Sequence, residues 1–346
     1  MNILMVTENE FQGKVDRTWR NLRTEFGWML MMDATHMSWK TFMERCISSD
    51  TVVHTGTGVI DVSWENEMRE RMKVFDNDLI LFIIPKTKPE TIAFIRGFVI
   101  PNKKHMIGII QEGEFEYFQN LDVKWQMEYL ETLDSVDLIL CHNEVDKLKF
   151  EAICACKNVL PIPTCFFTKK YKPLDRHSNN SIMIHGTCTQ DYNGSVGLAI
   201  AKDIGFDEYA MPGMGRRRPD QESAPCKTLP YMQLDDWMEE LKNYKYAINM
   251  TNQVAAGSCI VNSACVGTVC VGCDQFDTQM KLFPMLSFPM GEYGKAKELL
   301  RRLRDEAGFY ESCLEGLDVR LKEVDIDVQG PVLMAKLESI YLAFSL

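Results

Sequence analysis

At 346 residues the chain is too long for one small core and too short for three ordinary domains, so two domains of roughly 150 to 190 residues are expected. With 46% apolar and 25% charged residues it reads as a soluble globular protein, which excludes a disordered or fibrous one. A formal net charge of −11 disfavours a surface that hugs nucleic acid throughout, while leaving room for one basic cleft.

The chain opens directly as a strand, Met1 to Val6, without the basic head, apolar middle and cleavage site of a signal peptide, so cytoplasmic residence is expected. Short apolar runs at 2–7, 52–55, 79–84, 106–111, 136–141 and 158–162 predict strands. Between them, Arg17 to Met32 and Trp125 to Leu133 carry apolar residues at helical spacing. That alternation is the pattern of a parallel sheet covered by helices, a first Rossmann-like domain over 1–165. The text from Pro161 to Asn180 is polar and proline-punctuated and predicts a linker. A second Rossmann-like domain over 166–330 follows, with strands at 181–185, 207–211, 246–250 and 268–272 and helices at 194–204, 234–243, 257–266 and 294–306. Residues 331–346 begin with proline and predict a closing helix that returns to the N-terminal domain. No apolar run approaches the roughly 18 to 20 residues of a membrane span, and Leu79 to Ile84 is only strand-sized.

Twelve cysteines lie within apolar, strand-like or helix-like text, which predicts buried thiols and no disulfide framework. The pair Cys270 and Cys273 has Cys-x-x-Cys spacing but lacks the second Cys or His pair of a structural zinc site, so no metal is expected. Neither a Gly-x-Gly-x-x-Gly fingerprint nor a Walker A loop follows the first strand, which argues against dinucleotide oxidoreductases and nucleotide-driven kinases. The Asp-x-Asp triplet Asp325-Ile326-Asp327 is expected to be solvated ahead of the closing helix.

The stretch from Ala256-Gly257-Ser258 through Asn262 to Val271-Gly272 resembles the donor-site segment of group-4-like GT-B glycosyltransferases, and the preceding Leu234 to Met250 resembles their helix-then-strand unit. The resemblance follows most of the chain in order of elements and is specific in motif over about forty residues. It implies an α/β protein with two Rossmann-like domains facing across a cleft, and a metal-independent hexosyltransferase that takes a UDP- or GDP-sugar as substrate. The family's Glu-x7-Glu pair falls on Val254 and Asn262, and Thr268 stands where proline is usual, so the chain resembles a divergent, phage- or viral-type subfamily and its retaining or inverting outcome is open.

The candidate residues follow. A helix opening at Gly257 and Ser258 presents free backbone N–H groups to a diphosphate, and Asn262 offers an amide to a ribose hydroxyl. Gly186 and Thr187, after the strand ending at His185, occupy the family's first loop of the donor domain, and Arg216 and Arg217 offer bidentate donors to phosphate. In the first domain, Gly13, Lys14 and Arg17 sit in the loop after the first strand, for acceptor or phosphate contact. Glu112, at a strand end beside a glycine turn, is the candidate base toward an acceptor hydroxyl, with His142 the alternative. A glycan and a hydroxylated DNA base are both compatible acceptors. Two competing readings are a non-catalytic nucleotide-sugar-binding protein, which would not turn donor over, and a GT-B-like sugar-nucleotide epimerase, which would isomerise donor without acceptor.

Overall fold

The computed structural model describes residues 1–7, 24–46, 77–85, 89–101, 104–112, 115–162, 164–171, 179–189, 192–213, 219–252 and 257–345. Among the described residues, twelve strands form two sheets of six, and every pairing between them is parallel. In the first half lie β1 (Ile3–Thr7), β2 (Thr35–Ser38), β3 (Leu79–Pro85), β4 (Met106–Glu112), β5 (Leu138–Cys141) and β6 (Val159–Pro161), in the spatial order β2-β1-β3-β4-β5-β6. In the second lie β7 (Ser181–His185), β8 (Glu208–Met211), β9 (Lys227–Thr228), β10 (Tyr246–Asn249), β11 (Val269–Cys273) and β12 (Ser287–Phe288), ordered β12-β11-β10-β7-β8-β9. Trp28–Ile162, with β1 and the closing stretch Gly330–Leu346, makes one compact unit, and Pro163–Gln329 makes the other.

Strands covered by helices on both faces are apolar throughout, which is why they stand out in the sequence. Leu4, Val6, Ile80, Phe82, Ile107, Ile109 and Ile139 point to one face of the first sheet, into a core with Phe42, Phe94, Tyr129, Leu133 and Phe150. Phe82 and Phe94 each meet Trp39 and Phe42 edge-on there, with ring centroids 5.3 to 6.2 Å apart, while Trp39 and Phe42 stack at 6.2 Å, both geometries that aromatic quadrupoles favour. In the second unit Ile182, Ile184, Ala247, Ile248 and Val271 are fully buried, with Trp237, Leu241 and Tyr244 packed over them.

The expected strands within the described residues all form, with ends shifted by at most two residues; the one expected at 52–55 and the start of the helix expected from Arg17 lie outside the described residues. Unforeseen are β2, whose Thr-His-Met-Ser text carries mixed polarity, and the two-residue edge strands β9 and β12. The closing helix differs from expectation. It starts at Ile326 and runs to Phe344 with Pro331 inside it. Asp325 caps it, its Oδ1 accepting the Asp327 N–H at 2.9 Å, so the proline's missing N–H removes one bond after the turn has already nucleated. Asp325 is accordingly buried, not solvated, and also accepts from the Thr168 hydroxyl. Cys270 and Cys273 both stand in β11, three residues apart and therefore on opposite faces.

The closing helix is fastened to the first sheet through Asp78. Its Oδ2 accepts the Asn2 N–H at 2.6 Å and its Oδ1 accepts the Tyr341 hydroxyl at 2.9 Å. The Asn2 N–H, with Tyr341 helping, holds the Asp78 carboxyl below its ordinary value. A depressed folded-state pKa means stabilisation that is present above the unfolded carboxyl's pKa and fades as pH falls through the folded one. Asp78→Ala is expected to cost about 1–2 kcal/mol at neutral pH, with the difference from wild type shrinking toward pH 3 in urea titrations followed by circular dichroism.

Candidate functional site

In an open parallel sheet, ligands bind beyond the carboxyl ends of the strands where the order reverses. The second sheet reverses between β7 and β10: from β7 the chain proceeds outward to β8 and β9, and β10 returns to β7's other side. Two loops leave this point. The one after β7 is folded back tightly. Gly186 takes φ +97°, and an added Cβ would lie 2.9 Å from Tyr192 Cβ, so only glycine fits. The Gly194 N–H donates to Thr187 O at 2.9 Å and starts the helix Gly194–Ile204. Thr187 is buried, its hydroxyl 3.1 Å from that of Thr189, and the Cys188 N–H donates to Gln221 Oε1.

The loop after β10 leads to the helix Ser258–Val266, with Gly257 at φ +68° as its N-cap. Among the described residues, the first backbone-bonded amides are those of Ile260 and Val261, both to Gly257 O, and helix geometry turns the leading N–H groups away from the helix at an exposed Ser258. Those groups and the helix dipole together favour an anion. Asn249, the last residue of β10, braces the turn: its Oδ1 accepts from the Thr251 N–H and hydroxyl at 3.1 and 2.6 Å. Its Nδ2 donates to Cys259 Sγ at 3.4 Å.

Asn262 lies one turn further on, half-buried. In the amide orientation that satisfies both ends, its oxygen accepts from Trp237 Nε1 at 3.1 Å and its nitrogen donates to Ser258 O at 3.2 Å. His185 sits beneath, 1% exposed, with Nε2 2.7 Å from Ser263 Oγ and the ring edge-on to Trp237 at 6.2 Å. Burial pushes its pKa down to about 4, so at neutral pH the ring is uncharged.

In the first unit, β4 ends at Glu112, and the Ile110–Leu140 register extends to place Glu112 and His142 at the carboxyl ends of neighbouring strands. His142 is buried against Trp28, with ring centroids 5.1 Å apart, and desolvation pushes its pKa down to about 4. Asn143 then caps the helix Glu144–Ile153, its Oδ1 accepting the Asp146 N–H at 2.8 Å. Gln111 accepts from the buried Tyr129 hydroxyl and fixes the end of β4.

Of the residues expected from the sequence, the structure gathers Gly186, Thr187, Gly257, Ser258 and Asn262 around the switch point of the second sheet, and Glu112 and His142 at the carboxyl ends of two neighbouring interior strands of the first. Gly13, Lys14, Arg17, Arg216 and Arg217 lie outside the described residues. Asn249, Thr251, Trp237 and Ser263 were not foreseen as parts of the site. Asn249, as a polar residue ending an apolar strand, carried the one readable signal. Among the described residues, no group of three or more His, Cys, Asp or Glu is arranged to hold a metal ion, and no helix is long and apolar enough to cross a membrane.

No protein-family model matches this chain, and no curated protein matches it in sequence. Solved structures do. Sucrose-phosphate synthase from Thermosynechococcus elongatus superposes with a TM-score of 0.71 at 9% identity, covering 99% of this chain and 100% of that one. The fold is GT-B. Anabaena Alr3699/HepE, solved in complex with UDP and glucose, gives a TM-score of 0.69 at 9% identity over 98% of this chain and 100% of its own. The alpha,alpha-trehalose 6-phosphate synthase from Burkholderia multivorans gives 0.68 at 10% identity, covering 99% of each.

Proposed function

We propose that the chain is a glycosyltransferase that moves a hexosyl group from a nucleotide sugar to an acceptor hydroxyl. One observation carries the reading: at the switch point of the second sheet, the adjacent strands β7 and β10 are followed by a glycine-pinned loop, Gly186–Thr187, and by a helix start at Gly257–Ser258, a setting of the right kind for a diphosphate. A fold shared with a UDP-bound structure supports UDP as the nucleotide, with GDP the alternative.

In the reaction proposed, Glu112 accepts the acceptor's hydroxyl proton as the oxygen bonds to the sugar's anomeric carbon. The bond from that carbon to the diphosphate breaks, and the leaving charge is taken by the helix start, with Arg216 and Arg217 as further donors and no metal required. The net charge of −11 favours a glycan or a small hydroxylated acceptor over DNA.

A thermal-shift series with UDP, GDP and their glucose, galactose, mannose and N-acetylglucosamine conjugates tests this. One nucleotide at a hundred times its Kd is expected to add about 2.7 kcal/mol of stability, and its sugar conjugate to be slowly hydrolysed. Absence of a shift with every nucleotide overturns the reading.

A further inference from the structure

We propose that His185 is a positioning residue for donor binding, acting through Ser263 on the helix Ser258–Val266. The proposal rests on the nucleotide-sugar reading above. It starts from a polar side chain in an apolar place: His185 is the last residue of β7, 1% exposed, in register with Asn249 across the switch point. Burying an imidazole is costly unless it is hydrogen-bonded, so the bond it does make carries weight.

Nε2 makes that bond, at 2.7 Å from the hydroxyl of Ser263, itself fully buried on the helix whose first turn is the anion site. Ser263 sits next to Asn262, which accepts from Trp237 Nε1 and donates to Ser258 O, and the His185 ring packs edge-on against the same Trp237. The strand end, the helix Leu234–Leu241 that carries Trp237 and the helix Ser258–Val266 are therefore joined through polar contacts at one height in the core. Deleting the His185–Ser263 bond leaves the helix packed by Ile260, Val261 and Ala264 but removes the shortest of the side-chain hydrogen bonds among the described residues that fix its slide along the sheet. A slide of a few tenths of an ångström matters little to apolar packing and a great deal to short hydrogen bonds from the leading N–H groups to an anion. Nδ1 has no hydrogen-bond partner among the described residues, so Nε2 alone carries the tie.

His185→Phe keeps the aromatic volume and loses the bond; Ser263→Ala loses it from the other side with a smaller change in the core. The measurement is the Kd of UDP against that of uridine by titration calorimetry and ligand-observed NMR, for wild type, each variant and the double variant. A tenfold rise in the Kd of UDP with that of uridine unchanged is expected in each single variant, and no further rise in the double, because both changes delete one bond. General destabilisation would weaken both ligands alike, and that outcome, or unchanged UDP binding in Ser263→Ala, overturns the proposal while leaving the nucleotide-sugar reading intact. If wild type binds UDP no better than uridine, the diphosphate site itself is refuted and the positioning role falls with it.

Discussion

Glu112→Gln is expected to lower turnover of the nucleotide sugar by about 100- to 10,000-fold, the range that a positioned general base contributes, with little change in nucleotide affinity. The amide has nearly the shape of the carboxylate and cannot take a proton, so the loss falls on kcat. His142→Gln supplies the contrast. His142 stands at the end of the neighbouring strand, but its ring is buried against Trp28 and its pKa is pushed down to about 4, so it stays neutral and is a poor proton acceptor under assay conditions. Its replacement is expected to reduce turnover less than tenfold while lowering Tm by several degrees through lost packing. Single-turnover kinetics of the two variants, with melting curves, separate the roles. A kcat loss in His142→Gln exceeding that in Glu112→Gln would reverse the assignment.

Gly257→Ala is expected to cost about 2–4 kcal/mol and to reduce nucleotide diphosphate affinity more than tenfold. Two effects add. Alanine at φ +68° carries about 1 kcal/mol of backbone strain. Its Cβ would also overlap Thr278 Oγ1 and come within 3.3 Å of Phe276 Cδ1, an overpacking that costs about 1–3 kcal/mol. The two separate in a double-mutant cycle. Thr278→Ala removes the hydroxyl, which contributes a weak 3.4 Å bond to Gly257 O, and should restore most of the overpacking part while leaving the strain. Full additivity of the two changes, measured by denaturant unfolding, would show that the helix start had moved elsewhere instead of colliding.

The strands of both sheets were legible in the amino-acid sequence because burial on both faces makes them runs such as Leu79–Ile84 and Ser181–Ile184, bounded by polar text. Strand neighbours were not, since order in a parallel sheet depends on crossovers that leave no local trace; β2, β9 and β12 were missed because short edge strands bury too little to impose a pattern. Within the candidate site, glycines could be found from the sequence: Gly186 and Gly257 take left-handed backbone where a side chain would collide. The partners of those glycines could not. His185 and Ser263 are 78 residues apart, and the Asp78–Tyr341 bond spans 263. At Asn262, the expected ribose contact, the amide in its satisfied orientation also meets Trp237 and Ser258, an arrangement that follows from how two helices pack and not from anything local to Asn262.

All twelve cysteines are free thiols. Burial pushes the thiols of Cys154, Cys273 and Cys313 up to about 11 and those of Cys165 and Cys259 up to about 12, while Cys265, on the helix Ser258–Val266, and Cys270, in β11, are raised further still. Since alkylating reagents attack the thiolate, all of these groups are shielded chemically, and the buried Cys265, Cys270, Cys273 and Cys313 sterically as well, for as long as their surroundings stay closed. Each thus acts as a stopwatch for its own neighbourhood. The order in which maleimide mass accumulates on them would rank the segments of the chain by how often they open, from Cys154 beside the helix Glu144–Ile153 to Cys270 in β11, without introducing a single foreign residue.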